Sequence, residues 1–562
     1  MIEEYDAIKR VTSPLMALAL SIIVGIIVIG APISRTGGTP RVPTQSSGGA
    51  GLILVIAMDG LRPDSINRED TPTLFRLRQE GVTYNNSHSV FPTVTRVNAA
   101  AISTGTYPDV NGLVSNAMFV PGVHPNRAFN TSDYSQLLKL RDASNGRLLF
   151  ARSLAERLSD RGIRFAAVSS GSTGNALLLN HRAPEGIGVL VNGNFDPGKR
   201  VAYPDETNSV ILSRFGPAPT EEGSSLVDWS DRVLREYILP DLKPEVVIDW
   251  QTEPDGAQHR FATGSKEARA ALANNDRNLA LTLAKLQELG LADKTDIIVL
   301  SDHGFSLHNF RVDATRALIN AGLKAGPDSD DVVVASNGQS VLLHVKGRDL
   351  RRIRRIAQFL QAQDWVDVIF TAGRKPAAAI GVTQDLHAGR VRSQRDELGW
   401  VPGTFSLGLI RQPIAGRGPD ILFTLPWSSA VNAFGVPGKH YTEGGGNNGP
   451  LTGAASGHGG LSPWVVRNTL ILWGVDFKHG ITVSTAAANV DIAPTILALK
   501  GISGNSLAGR VLAEALRDGV DEEQVLSETK VLRTENAGGY RAAVQVTEVG
   551  GRRYIDKGWR IR

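Results

Sequence analysis

The most informative absence in this sequence of 562 residues is cysteine, of which there is none. Without cysteine the chain can form no disulfide bond, use no thiolate nucleophile and bind no metal through sulfur. Any metal ion must therefore be held by histidine and carboxylate side chains. In an oxidising compartment the stability of the fold would depend on packing rather than on cross-links.

An excess of charge of one sign is also lacking, because 60 Lys and Arg residues face 56 Asp and Glu residues and leave a net charge of +4. This near balance gives no electrostatic basis for binding nucleic acid. The dense basic run RDLRRIRR, at residues 348–355, carries Leu350, Ile353 and Ile356 at helical spacing. Such spacing predicts the solvated face of an amphipathic helix. We therefore predict no nucleic-acid-binding surface.

A long uncharged run does occur near the start, in LMALALSIIVGIIVIGAPI from Leu15 to Ile33, after Lys9 and Arg10. Its roughly 19 residues approach the thickness of a bilayer's hydrocarbon core. The run exceeds the usual apolar core of a signal peptide and lacks a clear small-x-small cleavage site, so we favour a signal anchor. We predict an anchor or signal segment at 1–34 and a Gly/Pro/Ser-rich linker at 35–50. The remainder would lie outside the cytoplasm, periplasmic or extracellular, and would be secreted if the segment is cleaved.

Short apolar, β-branched runs alternate with amphipathic helical patterns beyond the linker, as in LILVIAM before TPTLFRLRQEG and DIIVLSDHG after NLALTLAKLQELG. Runs that are apolar on both faces and separated by helices indicate a largely parallel sheet. The predicted fold class is α/β, with a mostly parallel central sheet flanked by helices. We predict a main domain at 51–530 with an inserted subdomain at 307–457. A C-terminal extension at 531–562 is predicted to form a β-hairpin around Gly550-Gly551.

Polar side chains follow several of the apolar runs, at Asp59, Ser169, Asp249 with Trp250, and Asp302 with His303. Open parallel sheets bind ligands beyond the carboxyl ends of their strands, so these positions are candidates for a site. Asp255 and His259 of EPDGAQH share a face if the segment is helical, and His458 lies in the glycine-rich SGHGG. Singly, each residue is explained by a helix cap, a solvated helix face or a surface loop. Together, three aspartates and three histidines supply the oxygen and nitrogen ligands that zinc accepts.

The motifs follow one another, between about residues 50 and 500, in the order AMDG, FPTVTRVN, STGTYPDVNGLVSN, EPDGAQH, SDHG, SGHGG and VDIAPTILAL. In this order the chain resembles the alkaline phosphatase superfamily, specifically its nucleotide pyrophosphatase/phosphodiesterase branch. The resemblance implies an alkaline-phosphatase-like fold and a metal-dependent hydrolase of phosphodiester or pyrophosphate bonds. Such an enzyme would act through a phosphothreonine intermediate on a small phosphodiester or nucleotide.

The resemblance also implies two divalent metal ions, with zinc expected, at the carboxyl edge of the sheet. One ion would be bound by Asp255, His259 and His458, and the other by Asp59, Asp302 and His303. Thr95 matches the family's nucleophile and would bind the second ion, whereas Thr93 is expected to be structural. Asn116 matches the asparagine that donates to a phosphate oxygen.

Arg96 departs from the family pattern, because an aromatic residue commonly follows the nucleophile in this branch, whose Asn-His is Asn98-Ala99 here. Arg96 either clamps the phosphate bidentately, as arginine can in phosphomonoesterases of the superfamily, or pairs with an acidic neighbour, and we favour the acidic neighbour. Ser172, in SSGSTGN, is a second candidate for substrate binding because the segment follows a predicted strand.

Three alternatives to a phosphodiesterase differ in their fit to these residues. A phosphomonoesterase or phosphonate hydrolase on the same fold stays open because of Arg96. A non-catalytic surface binding protein is disfavoured because every expected ligand and the nucleophile are present. A sulfatase is disfavoured because its formylglycine derives from cysteine or serine, whereas the nucleophile position here holds Thr95.

Overall fold

A computed structural model describes residues 49–196, 198–220, 223–373, 399–413, 416–453, 455–504 and 506–562. The predicted anchor and nearly all of the predicted linker lie outside these residues, so both stay predictions. Within the described ranges, no helix combines the length and the apolar character needed to cross a membrane. The described residues fall in one compact unit, Pro43–Arg562.

A nine-stranded central sheet organises the fold. Its strands are β1 (Leu52–Met58), β2 (Val82–Tyr84), β3 (Phe165–Ser169), β4 (Val189–Asp196), β5 (Arg200–Tyr203), β6 (Val246–Gln251), β7 (Thr295–Leu300), β8 (Leu470–Gly474) and β9 (Ile481–Val483). They lie in the order β9-β2-β8-β7-β1-β6-β3-β4-β5. The five strands from β7 to β4 are mutually parallel, whereas β8 and β5 run antiparallel to their neighbours. The predicted α/β class with a mostly parallel sheet is confirmed.

Helices cover both faces of this sheet. They are α1 (Pro72–Glu80), α2 (Thr95–Thr104), α3 (Pro108–Asn111), α4 (Tyr134–Asp142), α5 (Leu154–Ser159), α6 (Thr173–Leu179), α7 (Asp205–Phe215), α8 (Ser224–Val233), α9 (Asp255–Phe261), α10 (Lys266–Glu288), α11 (Ala314–Asn320), α12 (Leu350–Gln361), α13 (Pro463–Val466) and α14 (Ile492–Leu499). Alternate residues of β1 belong to different cores, with Ile53 and Val55 on the side of α2 and α6 and Leu54 and Ile56 on the side of α1 and α10. Because both faces are buried, β1 is apolar throughout its length.

Two smaller sheets occupy the region predicted as an inserted subdomain. One contains Ser306–Val312, Trp427–Val431, Pro437–Glu443, Gly449–Pro450 and Ser456–Gly457, and the other contains Val332–Asn337, Ser340–Val345, Ile369–Thr371, Phe405–Ser406 and Ile421–Thr424. The segments QSVLLHVKG and DILFTLP, within this region, each contain a strand. Ser306, just beyond β7, pairs with Gly457, and this pairing brings the loop after Gly457 back to the edge of the central sheet.

The C-terminal segment forms the predicted hairpin, with a third strand added. Ala542–Val549 and Arg552–Arg560 pair antiparallel around Gly550-Gly551, whose φ angles are 54° and 79°. Ser527–Arg533 pairs with the free edge of the first hairpin strand. His88 Nε2 lies 2.7 Å from Asp556 Oδ1 and joins the hairpin to the body of the fold.

Candidate active site

The carboxyl ends of β1 and β7 lie side by side, because these strands are parallel neighbours in the sheet. Asp59 follows β1, and Asp302 and His303 follow β7. His303 Nε2 lies 3.1 Å from Asp302 Oδ2 and 3.5 Å from Asp59 Oδ1. A Cβ atom at Gly304 would lie 2.2 Å from the Trp464 carbonyl oxygen, so only glycine allows the backbone after His303 to pass this close to the segment at Trp464.

The segment EPDGAQH forms the start of α9, as the spacing predicts, and places Asp255 and His259 on one face. Asp255 Oδ1 lies 3.4 Å from His259 Nε2 and 3.6 Å from His458 Nε2. The imidazole rings of His303 and His458 stack with their centroids 3.5 Å apart. The ligand atoms of Asp255, His303 and His458 lie within 4.8 Å of one another, as do those of Asp59, Asp302 and His303. All six residues are therefore in one cluster, in which His303 contacts both halves.

Backbone carbonyl groups orient each imidazole. The Nδ1 atom of His259 lies 3.0 Å from Ser456 O, that of His303 lies 3.1 Å from Gly304 O, and that of His458 lies 2.8 Å from Thr93 O. A carbonyl oxygen only accepts, so each Nδ1 carries the proton. The lone pair of each Nε2 is then available to a cation. Histidine metal ligands usually have this arrangement, in which the ring nitrogen that does not bind the metal donates a hydrogen bond.

The carboxylates of the cluster have unfilled hydrogen-bonding capacity. Asp59 Oδ1, Asp255 Oδ1 and Asp302 Oδ2 are enclosed and have no hydrogen-bond partner in the described part of the chain. Burial, and then the neighbouring Asp302 and Asp255, raise the pKa of Asp59 well above its usual value. Burial holds the pKa of His458 far below its usual value and keeps its imidazole neutral, as metal binding requires. The donor set therefore fits two divalent cations, which would offset the cost of burying these carboxylates.

Thr95 is the first residue of α2, and its side chain is buried against the cluster. Its Oγ1 atom lies 3.3 Å from His303 Nε2. Thr93, two residues earlier, donates from Oγ1 to Gly460 O at 3.0 Å and accepts from Gly459 N at 3.1 Å. Thr95 thus faces the cluster, whereas Thr93 fixes the loop that carries His458.

Asn116 lies next to the start of α2. Its Oδ1 accepts a hydrogen bond from Arg96 N at 3.0 Å, and its own backbone N donates to Asn337 Oδ1 at 2.8 Å. Its Nδ2 group makes no hydrogen bond to another described residue, so it is available to a ligand. Asn337 is a residue that the sequence motifs did not single out, since its strand lies more than 200 positions away.

A cleft of about 430 Å³ opens beside Thr95 and includes Arg96 and Ser172 among its lining residues. Arg96 forms no ion pair in the described ranges, although the carboxylates of the cluster act on its guanidinium, and both predicted roles stay predictions. The Ser172 hydroxyl accepts from Asn175 N at 3.3 Å and caps α6, which gives it a structural role. Asn175 was missed by the motif analysis, although SSGSTGN contains it. Its side chain is 1% exposed, and neither amide atom has a partner among the described residues.

Two further strand-end predictions have different outcomes. Trp250 donates from Nε1 to Asp59 Oδ2 at 3.1 Å and so supports the cluster from outside. Asp249 lies within β6 rather than after it, and Gln251 Nε2 donates to both Asp249 and Asp231 on the other face of the sheet. Asp249 therefore does not join the site, because successive side chains of a strand point to opposite faces.

The fold and the cluster define a class, namely α/β proteins with a candidate two-metal site at the carboxyl edge of a mostly parallel sheet. Comparison with known families makes this class specific. The family described as type I phosphodiesterase / nucleotide pyrophosphatase matches residues 53–387. The chain belongs to this family.

Individual relatives are distant. Ectonucleotide pyrophosphatase/phosphodiesterase family member 3 of Mus musculus is 26% identical over 255 residues, which are 45% of this chain and 24% of that protein. Venom phosphodiesterase 2 of Crotalus adamanteus is 22% identical over 256 residues, which are 45% of this chain and 26% of that protein. The chain thus spans about a quarter of the length of these relatives. The solved structure of human ectonucleotide pyrophosphatase/phosphodiesterase 5 has a similar fold, with a TM-score of 0.54 at 15% identity, and the match covers 83% of this chain and all of that one.

Proposed function

We propose that this protein hydrolyses small phosphodiesters or nucleotide pyrophosphate bonds through a phosphothreonine intermediate at Thr95. One observation carries the proposal. The Thr95 hydroxyl, at the start of α2, lies 3.3 Å from His303 in a cluster of three carboxylates and three imidazoles. Membership of the type I phosphodiesterase / nucleotide pyrophosphatase family, and the phosphodiesterase names of its relatives, support the reaction class.

Asp255, His259 and His458 would hold one divalent ion, and Asp59, Asp302 and His303 the other, with zinc the expected element. Two such ions supply Lewis acidity, which favours ionisation of a hydroxyl and stabilises charge on a phosphoryl group. The contribution of the chain is to orient these groups. Helix α2 fixes the Thr95 hydroxyl, and backbone carbonyls fix the three imidazoles.

In the first step Thr95 Oγ1 loses its proton and attacks phosphorus, while the bond to the ester oxygen breaks and the alcohol leaves after gaining a proton. Asn116 Nδ2 would donate to a non-bridging oxygen as negative charge grows there. In the second step water attacks phosphorus and the bond to Oγ1 breaks, which releases phosphate product and restores the threonine. The residues proposed for both steps come from the start of α2, the ends of β1 and β7, helix α9 and the segments that carry Asn116 and His458.

Thr95→Ala tests the nucleophile. We expect turnover of a p-nitrophenyl phosphodiester to fall by about 10³-fold or more, because the group that forms the covalent bond is lost. Two bound metal ions per chain and an unchanged circular dichroism spectrum would show that the variant is folded. Thr95→Ser, which keeps a hydroxyl, is the matched control and should retain substantial activity. Full activity of Thr95→Ala would refute the phosphothreonine step.

A phosphomonoesterase or phosphonate hydrolase is the second candidate, since the guanidinium of Arg96 lies beside the nucleophile without an acidic partner in the described ranges. Rates on a p-nitrophenyl phosphodiester and on the monoester at equal concentration separate the two. We expect the diester to be faster, because a neutral donor such as Asn116 suits a singly charged phosphoryl group. A monoester rate higher by orders of magnitude would reverse the assignment. Fewer than about two tightly bound ions would instead support a binding protein.

The proposed location of the protein rests on its N-terminal sequence alone. The uncharged run Leu15–Ile33 and the basic residues before it support a tether that leaves the catalytic unit outside the cytoplasm. Fractionation of cells that express the full chain tests this. Recovery of the uncleaved protein with the membrane fraction, sensitive to protease added from outside, is the expected result.

A further inference from the structure

The cleft beside Thr95 has a chemistry that the reaction itself does not explain. Its lining beyond the cluster consists of Arg96, Ser170, Gly171, Ser172, Asn175, Asn194, Gly223, Thr252, Glu253, Gly256 and Arg260. Among the described lining residues there is no Phe, Tyr or Trp. Nucleobases are held mainly by stacking on aromatic rings and by apolar walls. The described lining of this cleft offers no aromatic ring for stacking, so it is poorly suited to a base.

Arg96 supplies a positive charge to the cleft that no described residue neutralises through an ion pair. Its Nε atom is enclosed and has no hydrogen-bond partner among the described residues. An arginine guanidinium does not lose its proton in proteins, so Arg96 carries a positive charge into the cleft. An enclosed guanidinium N–H without an acceptor is costly, and an anionic group in the cleft would remove that cost.

Asn175 is an independent observation on the same cleft. Its side chain is almost completely buried, and its amide oxygen and nitrogen both lack partners within the described residues. Buried amides in folded proteins are nearly always hydrogen-bonded, so a buried amide that lines a cleft without a protein partner is suited to bind a polar ligand group. The amide lies next to Gly171, where an added Cβ would be 3.5 Å from Asn175 Nδ2. It can donate to one atom of a bound group and accept from another.

We propose that this cleft binds the organic group retained on the phosphoryl centre through a compact anionic substituent, which Arg96 pairs with and to which Asn175 donates a hydrogen bond. The substrate class is a phosphodiester in which the retained alcohol carries a carboxylate or a second phosphate. This retained alcohol is not a nucleoside. This inference rests on the proposed hydrolysis at Thr95 and adds to it which ester is preferred.

A matched series of p-nitrophenyl phosphodiesters tests the proposal, since the leaving group is constant and only the retained alkyl group changes. The series contains 2-carboxyethyl, 2-phosphonoethyl, ethyl, 2-(trimethylammonio)ethyl and thymidine 5′-yl esters. We expect kcat/KM for the better of the two anionic esters to exceed that for the ethyl ester by about 10- to 100-fold, the range expected of one charge-assisted contact. The carboxyethyl and phosphonoethyl arms distinguish the two sources of the charge. Preference for the cationic or thymidine ester would overturn the proposal.

Variants locate the effect. Arg96→Gln should reduce the ratio of kcat/KM for the anionic ester to kcat/KM for the ethyl ester to about one. Asn175→Ala should raise KM for the anionic ester more than it lowers kcat. Arg260→Gln is the matched control, because this arginine also lines the cleft but is half exposed and lies 3.7 Å from Glu253. Arg260→Gln should retain most of the preference for the anionic ester over the ethyl ester. An unchanged ratio in Arg96→Gln would overturn the assignment.

The experiments distinguish failure of the proposed hydrolysis at Thr95 from failure of the proposed anion preference of the cleft. Hydrolysis of the ethyl ester that disappears in Thr95→Ala supports the reaction whatever the charge preference is. Equal rates across the series would refute the anionic cleft and leave the reaction intact. If no ester in the series is hydrolysed, both the proposed reaction and the proposed anion preference are refuted. Calorimetric titration of Thr95→Ala with 2-carboxyethyl phosphate gives a second readout, and affinity should fall about 10-fold or more when Arg96→Gln is added.

Discussion

Trp250 shows how a single buried side chain supports the candidate metal site without belonging to it. Its indole is fully buried and donates to Asp59 Oδ2. The other carboxylate oxygen, Asp59 Oδ1, has no hydrogen-bond partner among the described residues. A hydrogen bond on one oxygen fixes the direction in which the other faces. Such outer contacts commonly contribute one to two orders of magnitude to metal affinity.

Trp250→Phe should therefore lower zinc affinity by about 10- to 100-fold, because the Nε1 donor is lost while most of the apolar volume remains. Competition with a chromophoric chelator measures the affinity. Trp473→Phe, in β8 of the same sheet, is the control and should leave zinc affinity unchanged. Equal affinities for all three proteins would show that the Trp250 contact does not position Asp59.

Asp296 is a buried acid away from the candidate metal ligands. Its Oδ1 accepts from Asp476 N at 3.0 Å, and its Oδ2 has no partner in the described ranges. Burial is the main cause that raises the pKa of Asp296 to about 8. The folded protein thus binds this proton more tightly than the unfolded chain does. The associated stability is complete below pH about 4 and is lost as pH rises towards 8.

Asp296→Asn should remove this pH dependence, because the amide cannot ionise. We expect similar melting temperatures for variant and parent near pH 4 and a clearly higher melting temperature for the variant near pH 8. A tenfold change in an acid's ionisation constant corresponds to about 1.4 kcal/mol, so a difference of a few kcal/mol in unfolding free energy is the relevant scale. Thermal unfolding at several pH values measures it. A parent protein that is equally stable at both pH values would contradict the assignment.

At the scale of elements, α2 matters because it carries the Thr95 hydroxyl. Asn98, on the same helix and fully buried, connects it to its surroundings. Its Oδ1 accepts from Val90 N at 2.7 Å and from Asn489 Nδ2 at 3.0 Å, and its Nδ2 donates to Val90 O at 3.1 Å. Asn489 also donates to the carbonyl of Asp302 at 2.8 Å. The network thereby joins the helix that carries the proposed nucleophile to the strand end that carries the candidate ligands Asp302 and His303.

Asn98→Ala should destabilise the protein by about 3 kcal/mol, because several enclosed groups lose partners at once. Urea unfolding measures this loss. Ser103→Ala is the control on the same helix, since Ser103 makes one local bond of 3.3 Å to Ala100 O, and its loss should cost less than about 1 kcal/mol. Equal stabilities of the two variants would show that the network does not hold α2.

At the scale of the whole molecule, the cluster draws on segments from residue 59 to residue 458. Removal of the metal ions should therefore weaken the whole fold, since three carboxylates would remain buried together without countercharge. Dialysis against a chelator should abolish activity and lower the unfolding free energy. The expected loss is about 4 kcal/mol for each site, if the free metal concentration before dialysis is 1,000 times the dissociation constant of that site. Readdition of zinc should reverse both changes. An unchanged melting temperature in protein shown to be metal-free would refute a structural contribution.

The parallel sheet could be predicted from its inner strands, because β1 is buried on both faces and apolar throughout, and β6 and β7 are buried and apolar over most of their length. The third strand of the C-terminal sheet, Ser527–Arg533, was not predicted. It is largely exposed and polar, so it has no apolar alternation, and only pairing with the hairpin defines it. The two small sheets were placed only approximately for a related reason, since several of their strands have two residues.

The sequence by itself determined which residue types are available for chemistry. Without cysteine, and with acids and histidines after apolar runs, it indicated an oxygen and nitrogen metal site, and the resemblance of its motifs to the family implied a nucleophile at Thr95. Only the tertiary structure decided that Asp249 faces away, that Arg96 has no acidic partner among the described residues, and that Asn175 lines the cleft. The physical reason is that residue type and spacing follow from the order of the chain. The direction of a side chain and the satisfaction of its hydrogen bonds depend on segments that are hundreds of positions apart.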